Sequence, residues 1–157
     1  MKTVWIALVF ACITGTTSVR AQALDLFAAA RADDVNGAQA LLANHADINQ
    51  QDAKGYTPLI VATYNGNYEV ARFLLEHGAA TEKKDASGRT ALMGVCFKGD
   101  DRDVELLLEH GADVNAKDAK GMTSMMYAVM FGRISVIKAL HASEAAKTAA
   151  SQVSSTR

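Results

Sequence analysis

Cysteine is nearly absent from the chain. Its 157 residues carry Cys12 and Cys96 alone. If the amino-terminal segment is removed, Cys96 has no partner for an internal disulfide, and stability in an oxidising compartment must come from packing. A charge bias is also missing: 16 basic side chains face 17 acidic ones, a net of -1. Nucleic-acid binding through neutralised phosphates is therefore not suggested. No apolar run is long enough to cross a bilayer, which takes about 20 residues. The longest candidate, Val4 to Ile13, is diluted at once by Thr14, Gly15, Thr16 and Thr17. Finally, there is no phosphate-cradling glycine loop and no pair of catalytic carboxylates.

The short apolar run has another use. Met1 and Lys2 give a positive start, and Ala21-Gln22-Ala23 fits the small-x-small pattern of a cleavage site. Residues 1–23 read as a secretory signal peptide cut after Ala23. Cleavage would remove Lys2, Arg20 and Cys12 and leave 14 basic against 17 acidic side chains, a net of -3. The expected destination is the bacterial periplasm. An uncleaved anchor and a lipid on Cys12 are the alternatives.

What the chain does have is a period of 33. Asp52 to Lys84 reads DAKGYTPLIVATYNGNYEVARFLLEHGAATEKK, Asp85 to Lys117 repeats it as DASGRTALMGVCFKGDDRDVELLLEHGADVNAK, and a third copy opens at Asp118. Such self-similarity means a stack of small units. Leu24 to Gln51 is a worn copy, with Leu26, Ala29 and Leu41-Leu42 opposite Leu59, Ala62 and Leu74-Leu75. The expected units are 24–51, 52–84, 85–117 and 118–145, the outer two acting as caps and 146–157 as a disordered tail.

Each unit reads as two short helices. Gly55 permits a tight turn, Thr57 caps a helix, and Pro58, the only proline, takes its first turn, where a missing N–H costs nothing. Gly66 ends that helix. A second starts near Tyr68 with Val70, Phe73 and Leu74 at core spacing, and Gly78 follows its end. Helices below about 12 residues are marginal alone, so the units must stabilise one another. The third unit departs from the pattern twice. Gly94 lies inside a helix, at a cost of about 1 kcal/mol relative to alanine, and Asp103 stands where the neighbouring units have Val70 and Val136. That unit is expected to be the weakest internal one or to make a special contact.

The pattern D-x-x-G-x-T-P-L at Asp52 to Leu59, G-x-x-E-V at Gly66 to Val70 and L-L-E-H-G-A at Leu74 to Ala79 resembles the ankyrin repeat. The run L-L-L-E-H-G-A-D-V-N at Leu106 to Asn115 strengthens the likeness, which covers nearly all of residues 24–145. It implies an all-α solenoid of four helix-turn-helix units with short β-turn or hairpin tips. One departure is that the family's histidine after T-P-L is replaced by Ile60, Met93 and Met126. The resemblance further implies a binding scaffold with no catalytic activity and no cofactor, whose partners lie against the tips and the exposed side of the first helices.

Carried over by position, the tips are Lys54, Tyr56, Ser87, Arg89, Lys120 and Met122, with Lys84 and Lys117 between them. The first-helix positions are Arg31, Tyr64, Asn65, Phe97, Lys98, Met130 and Phe131. Aromatic residues, methionine and arginine are the types enriched in protein interfaces. The implied function is docking of a partner protein by a monomer of the bacterial envelope, without nucleic acid or a membrane span. The likeness to small exported ankyrin proteins suggests support of an envelope or oxidative-stress enzyme. An inhibitor of a secreted toxin is one alternative. A Cu(I) protein using Met122 and Met130 is another, against which methionine serves more simply as an adaptable apolar contact.

The remaining constellations have plainer readings. His77 and His110 are one repeat apart, so they lie about 10 Å from each other, whereas zinc ligands all approach the ion to about 2 Å. The acids Asp100, Asp101 and Asp103 lack the glycine and final glutamate of a calcium loop and suit a helix start. Cys96, in register with Thr63 and Val129, reads as an inert thiol on the packed side of its helix.

Overall fold

The computed structural model of the protein describes residues 25–154, with side chains through residue 147. The expected signal peptide at 1–23 and the cysteine at 12 lie outside the described residues, as do positions 155–157. Eight helices occur among the described residues, in antiparallel pairs: α1 Leu26–Ala32, α2 Val35–Ala43, α3 Pro58–Asn65, α4 Tyr68–Glu76, α5 Ala91–Lys98, α6 Asp101–Glu109, α7 Ser124–Met130 and α8 Ile134–Ser154. No strand is found there, so the tips are turns.

Local chemistry places the helices. Thr57 Oγ1 accepts the Ile60 N–H at 3.2 Å to start α3, with Pro58 in the first turn, and Asp25, Asp34 and Asp100 cap α1, α2 and α6 in the same way. Gly66 closes α3 in a left-handed conformation, φ 77°, that a side chain would disfavour. The strict recurrence of Asp52, Asp85 and Asp118 also has a cause. One carboxylate oxygen of each accepts two backbone N–H groups of its own tip: Lys54 and Tyr56, Ser87 and Arg89, Lys120 and Met122. The residue is the clasp of the turn.

The helices form two layers. First helices contact first helices in the order α1, α3, α5, α7, and second helices do so in the order α2, α4, α6, α8. Leu59, Leu92, Val70, Leu74, Val104, Leu107, Val136 and Leu140 fill the space between them. Successive tips are joined through the backbone, the Ala86 N–H donating to Lys54 O at 2.9 Å and the Ala119 N–H to Ser87 O at 3.0 Å. His77 and His110 lie within 2.7 and 2.9 Å of Phe73 O and Leu106 O through Nδ1, so the repeated histidines serve the ends of α4 and α6. Among the described residues no cluster of His, Cys, Asp or Glu could hold a metal ion.

Two expectations need correction. The tail placed after 145 is helical through Ser154, because its alanine-rich sequence propagates α8, and Lys147 Nζ anchors it on Ala112 O at 3.0 Å. Val129 is not on a packed side as Thr63 and Cys96 are. It is 60% exposed, since among the described residues no unit covers the outer side of α7. Met126, on the same helix, is exposed as well. Asp103, by contrast, sits in the core as its register demands, fully buried with neither carboxylate oxygen hydrogen-bonded.

Candidate partner-binding groove

The tips and the first helices enclose one substantial cavity, of ≈ 540 Å³, within the range of roughly 300–1,000 Å³ typical of ligand sites. Seven of the expected site residues line it: Arg31, Lys54, Tyr56, Tyr64, Asn65, Arg89 and Phe97. Register explains the convergence. Arg31, Tyr64 and Phe97 recur at intervals of 33 on α1, α3 and α5, and the stacking of those helices sets them in a row. Tyr64 is 57% exposed and Phe97 40%, unusual for large rings on a folded surface.

The rest of the expected set is placed differently. Phe131 meets Phe97 edge-on, ring centroids 4.5 Å apart, and extends the aromatic row past the cavity. Lys120 lines a second, smaller depression with Arg89 and Tyr127. Met130 is exposed on α7 and Met122 half-buried at the last tip, neither lining the cavity. Two lysines are committed to the frame: Lys84 Nζ donates to Lys117 O at 2.9 Å, and Lys98 Nζ to Tyr64 O at 3.2 Å. Lys117 therefore enters through its carbonyl, its side chain exposed.

Electrostatics fix the walls. The guanidinium of Arg89 holds Asp85 through Nε at 2.9 Å and a terminal nitrogen at 2.8 Å, with the carboxylate almost wholly buried. Burial opposes the charge on Arg89, but the bond and charge of Asp85 outweigh it and raise the guanidinium pKa. Tyr127 donates its hydroxyl to the second oxygen of Asp118 at 2.7 Å. That bond holds the Asp118 carboxyl below its usual range, while burial and the same bond raise the Tyr127 phenol. Arg31 sits 6.0 Å over the Phe27 ring.

Tyr127, Met93, Thr90 and Asp85 also line the cavity and were missed by position-wise transfer. Tyr127 was accessible in principle. It lies 33 residues after Gly94 and 66 after Val61, both cavity-lining positions. The acids Glu69, Glu76, Asp101, Glu105 and Glu109 stand exposed on the second helices, with Arg72 bridging Glu69 at 2.9 Å and Glu76 at 3.3 Å.

Paired helices, a turn clasped by aspartate and a period of 33 find their match in a family model described as ankyrin repeats (3 copies), aligned to residues 26–118 and 82–151. The chain belongs to the ankyrin-repeat family. Ankyrin repeats are generally scaffolds for protein–protein interaction and typically non-catalytic. Comparison with curated proteins gives no significant match. No helix among the described residues is long and apolar enough to cross a membrane. In this ankyrin protein Cys96 is fully buried, and burial pushes its thiol up to about 12, which removes the thiolate a nucleophile requires.

Proposed function

We propose that the protein is a non-catalytic scaffold of the bacterial periplasm that docks a partner protein in the groove between its tips and first helices. The partner would be an enzyme of the envelope or of the oxidative-stress response, supported stoichiometrically. The observation that carries this reading is the row Tyr64, Phe97 and Phe131, three rings left exposed beside a cavity in a protein whose other large apolar side chains mostly fill the core. Exposed aromatics with a flanking Arg are the usual anchors of interfaces, each worth up to a few kcal/mol. The periplasmic location rests on the reading of residues 1–23, and protein recovered from a periplasmic extract should begin at Leu24.

The test is direct. Tyr64→Ala, Phe97→Ala and Phe131→Ala are combined and the variant is used as bait against a periplasmic extract, beside the wild type. Loss of a partner that the wild type retains, with helical circular dichroism unchanged, is expected. A variant that retains the same partner would remove this face from consideration.

A further inference from the structure

One of the residues lining the cavity is a glycine, Gly94. Along the first helices the same position is Val61 in the second unit, Gly94 in the third and Tyr127 in the fourth, and all three line the cavity. At Gly94 an added Cβ would meet a single atom, Tyr64 Cδ2, at 4.0 Å. No close packing requires glycine there. No left-handed backbone requires it either, since Gly94 lies inside α5 and is not among the residues of positive φ. A helix-interior glycine weakens its helix, so this one lowers stability and leaves a recess between Val61 and Tyr127, walled by Tyr64, Phe97 and Met93.

The charges around the recess do not cancel. The charged side chains that line the cavity are Arg31, Lys54 and Arg89 against Asp52 and Asp85, a net of +1. Asp85 pairs with Arg89, while Asp52 accepts the N–H groups of its own tip and keeps its charge. The ammonium of Lys54 and the guanidinium of Arg31 have no acidic partner among the described residues. An apolar recess whose rim carries a net positive charge, with Lys54 and Arg31 outside any ion pair, complements an apolar side chain carried by an acidic chain.

We propose that the recess over Gly94 receives one bulky apolar side chain of an acidic partner segment, with Lys54 and Arg31 facing the carboxylates on either side of it. The proposal rests on the protein-binding reading of this groove and names the chemistry of what binds. Gly94 is then a specificity-determining position, kept small for the ligand at the expense of its helix.

Fluorescence anisotropy with a panel of labelled synthetic peptides tests it. The parent peptide carries a central Phe flanked by Glu and Asp. One control replaces Phe by Ala, the other replaces the acids by Lys. The parent is expected to bind the purified protein at least tenfold more tightly than either control. Gly94→Leu should weaken it at least tenfold while raising the thermal midpoint, and Gly94→Ala should weaken it less. Lys54→Glu with Arg31→Glu should shift preference toward the Lys-flanked peptide. Equal affinity of Gly94→Leu and wild type, equal affinity of the acidic and Lys-flanked peptides, or no binding by any of the panel overturns the proposal. If the triple aromatic variant loses the native partner while Gly94→Leu keeps it, the docking face stands and the recess does not.

Discussion

Asp103→Asn is expected to make the protein more stable at neutral pH, and the size of the gain can be worked from the site. The carboxylate sits in the first turn of α6, where the helix dipole favours negative charge. Burial works against it and dominates, reinforced by the negative charges of Asp100 and Asp33, while Lys98 and Arg102 only partly offset them. The result is a pKa raised to about 6. In the unfolded chain the same group titrates near ~3.9. Because the folded state holds the proton more tightly, this contribution is present below about pH 4 and is lost as pH rises through about 6. At about 1.4 kcal/mol per unit, the loss at neutral pH is about 3 kcal/mol, large beside a total of roughly 5–15. The amide introduced by Asp103→Asn is a permanent stand-in for the protonated acid, so the variant should match the wild type near pH 4 and exceed it near pH 7. Urea denaturation followed by circular dichroism would show the midpoint displaced by about 1–3 M at pH 7 for a slope of 1–3 kcal/mol/M. Asp103→Val, the residue type of both neighbouring units, should gain more, since it also removes a buried polar group without partners. Parallel pH profiles for wild type and Asp103→Asn would refute the reasoning.

Three further outcomes follow from the frame. Gly55→Ala and Gly121→Ala both force a side chain into the left-handed region, at about 1–2 kcal/mol, but only at Gly55 would the new Cβ also lie 2.8 Å from the next tip, at Ala86 N. Gly55→Ala should therefore lower the urea midpoint clearly more than Gly121→Ala. Arg89→Ala strips a charge-assisted bond from a buried carboxylate, worth about 1.5–3 kcal/mol and toward the lower end because the guanidinium is partly exposed. A double-mutant cycle with Asp85→Asn should recover that coupling. Cys96 should resist a thiol-reactive disulfide reagent at pH 8 in the native protein and react promptly in denaturant, whereas brisk native labelling would contradict its burial.

What the sequence disclosed was whatever one unit settles by itself. The Thr57 cap, the Pro58 first turn and the Gly66 stop depend on atoms within four residues, and each stands where local chemistry puts it. The row Arg31, Tyr64, Phe97 follows from the period alone. What escaped depends on the neighbouring unit or on its absence. Whether a lysine is free or tied to a carbonyl 33 or 34 residues away, as Lys84 and Lys98 are, cannot be seen from its own repeat. Val129 is exposed because none of the described units stacks against the outer side of α7. Asp103 was conspicuous as a departure, but its unpaired state needed the packing of α6 against its neighbours.

The bonds from Ala86 to Lys54 and from Ala119 to Ser87 run between main-chain atoms, so these links from one tip to the next do not depend on which side chains stand at positions 54 and 87. Exposed tip positions such as 54 and 87 can therefore be rewritten one substitution at a time, and each new side chain inherits the same footing as the old. A lineage built on such a frame can change partners without passing through unfolded intermediates in sequence space.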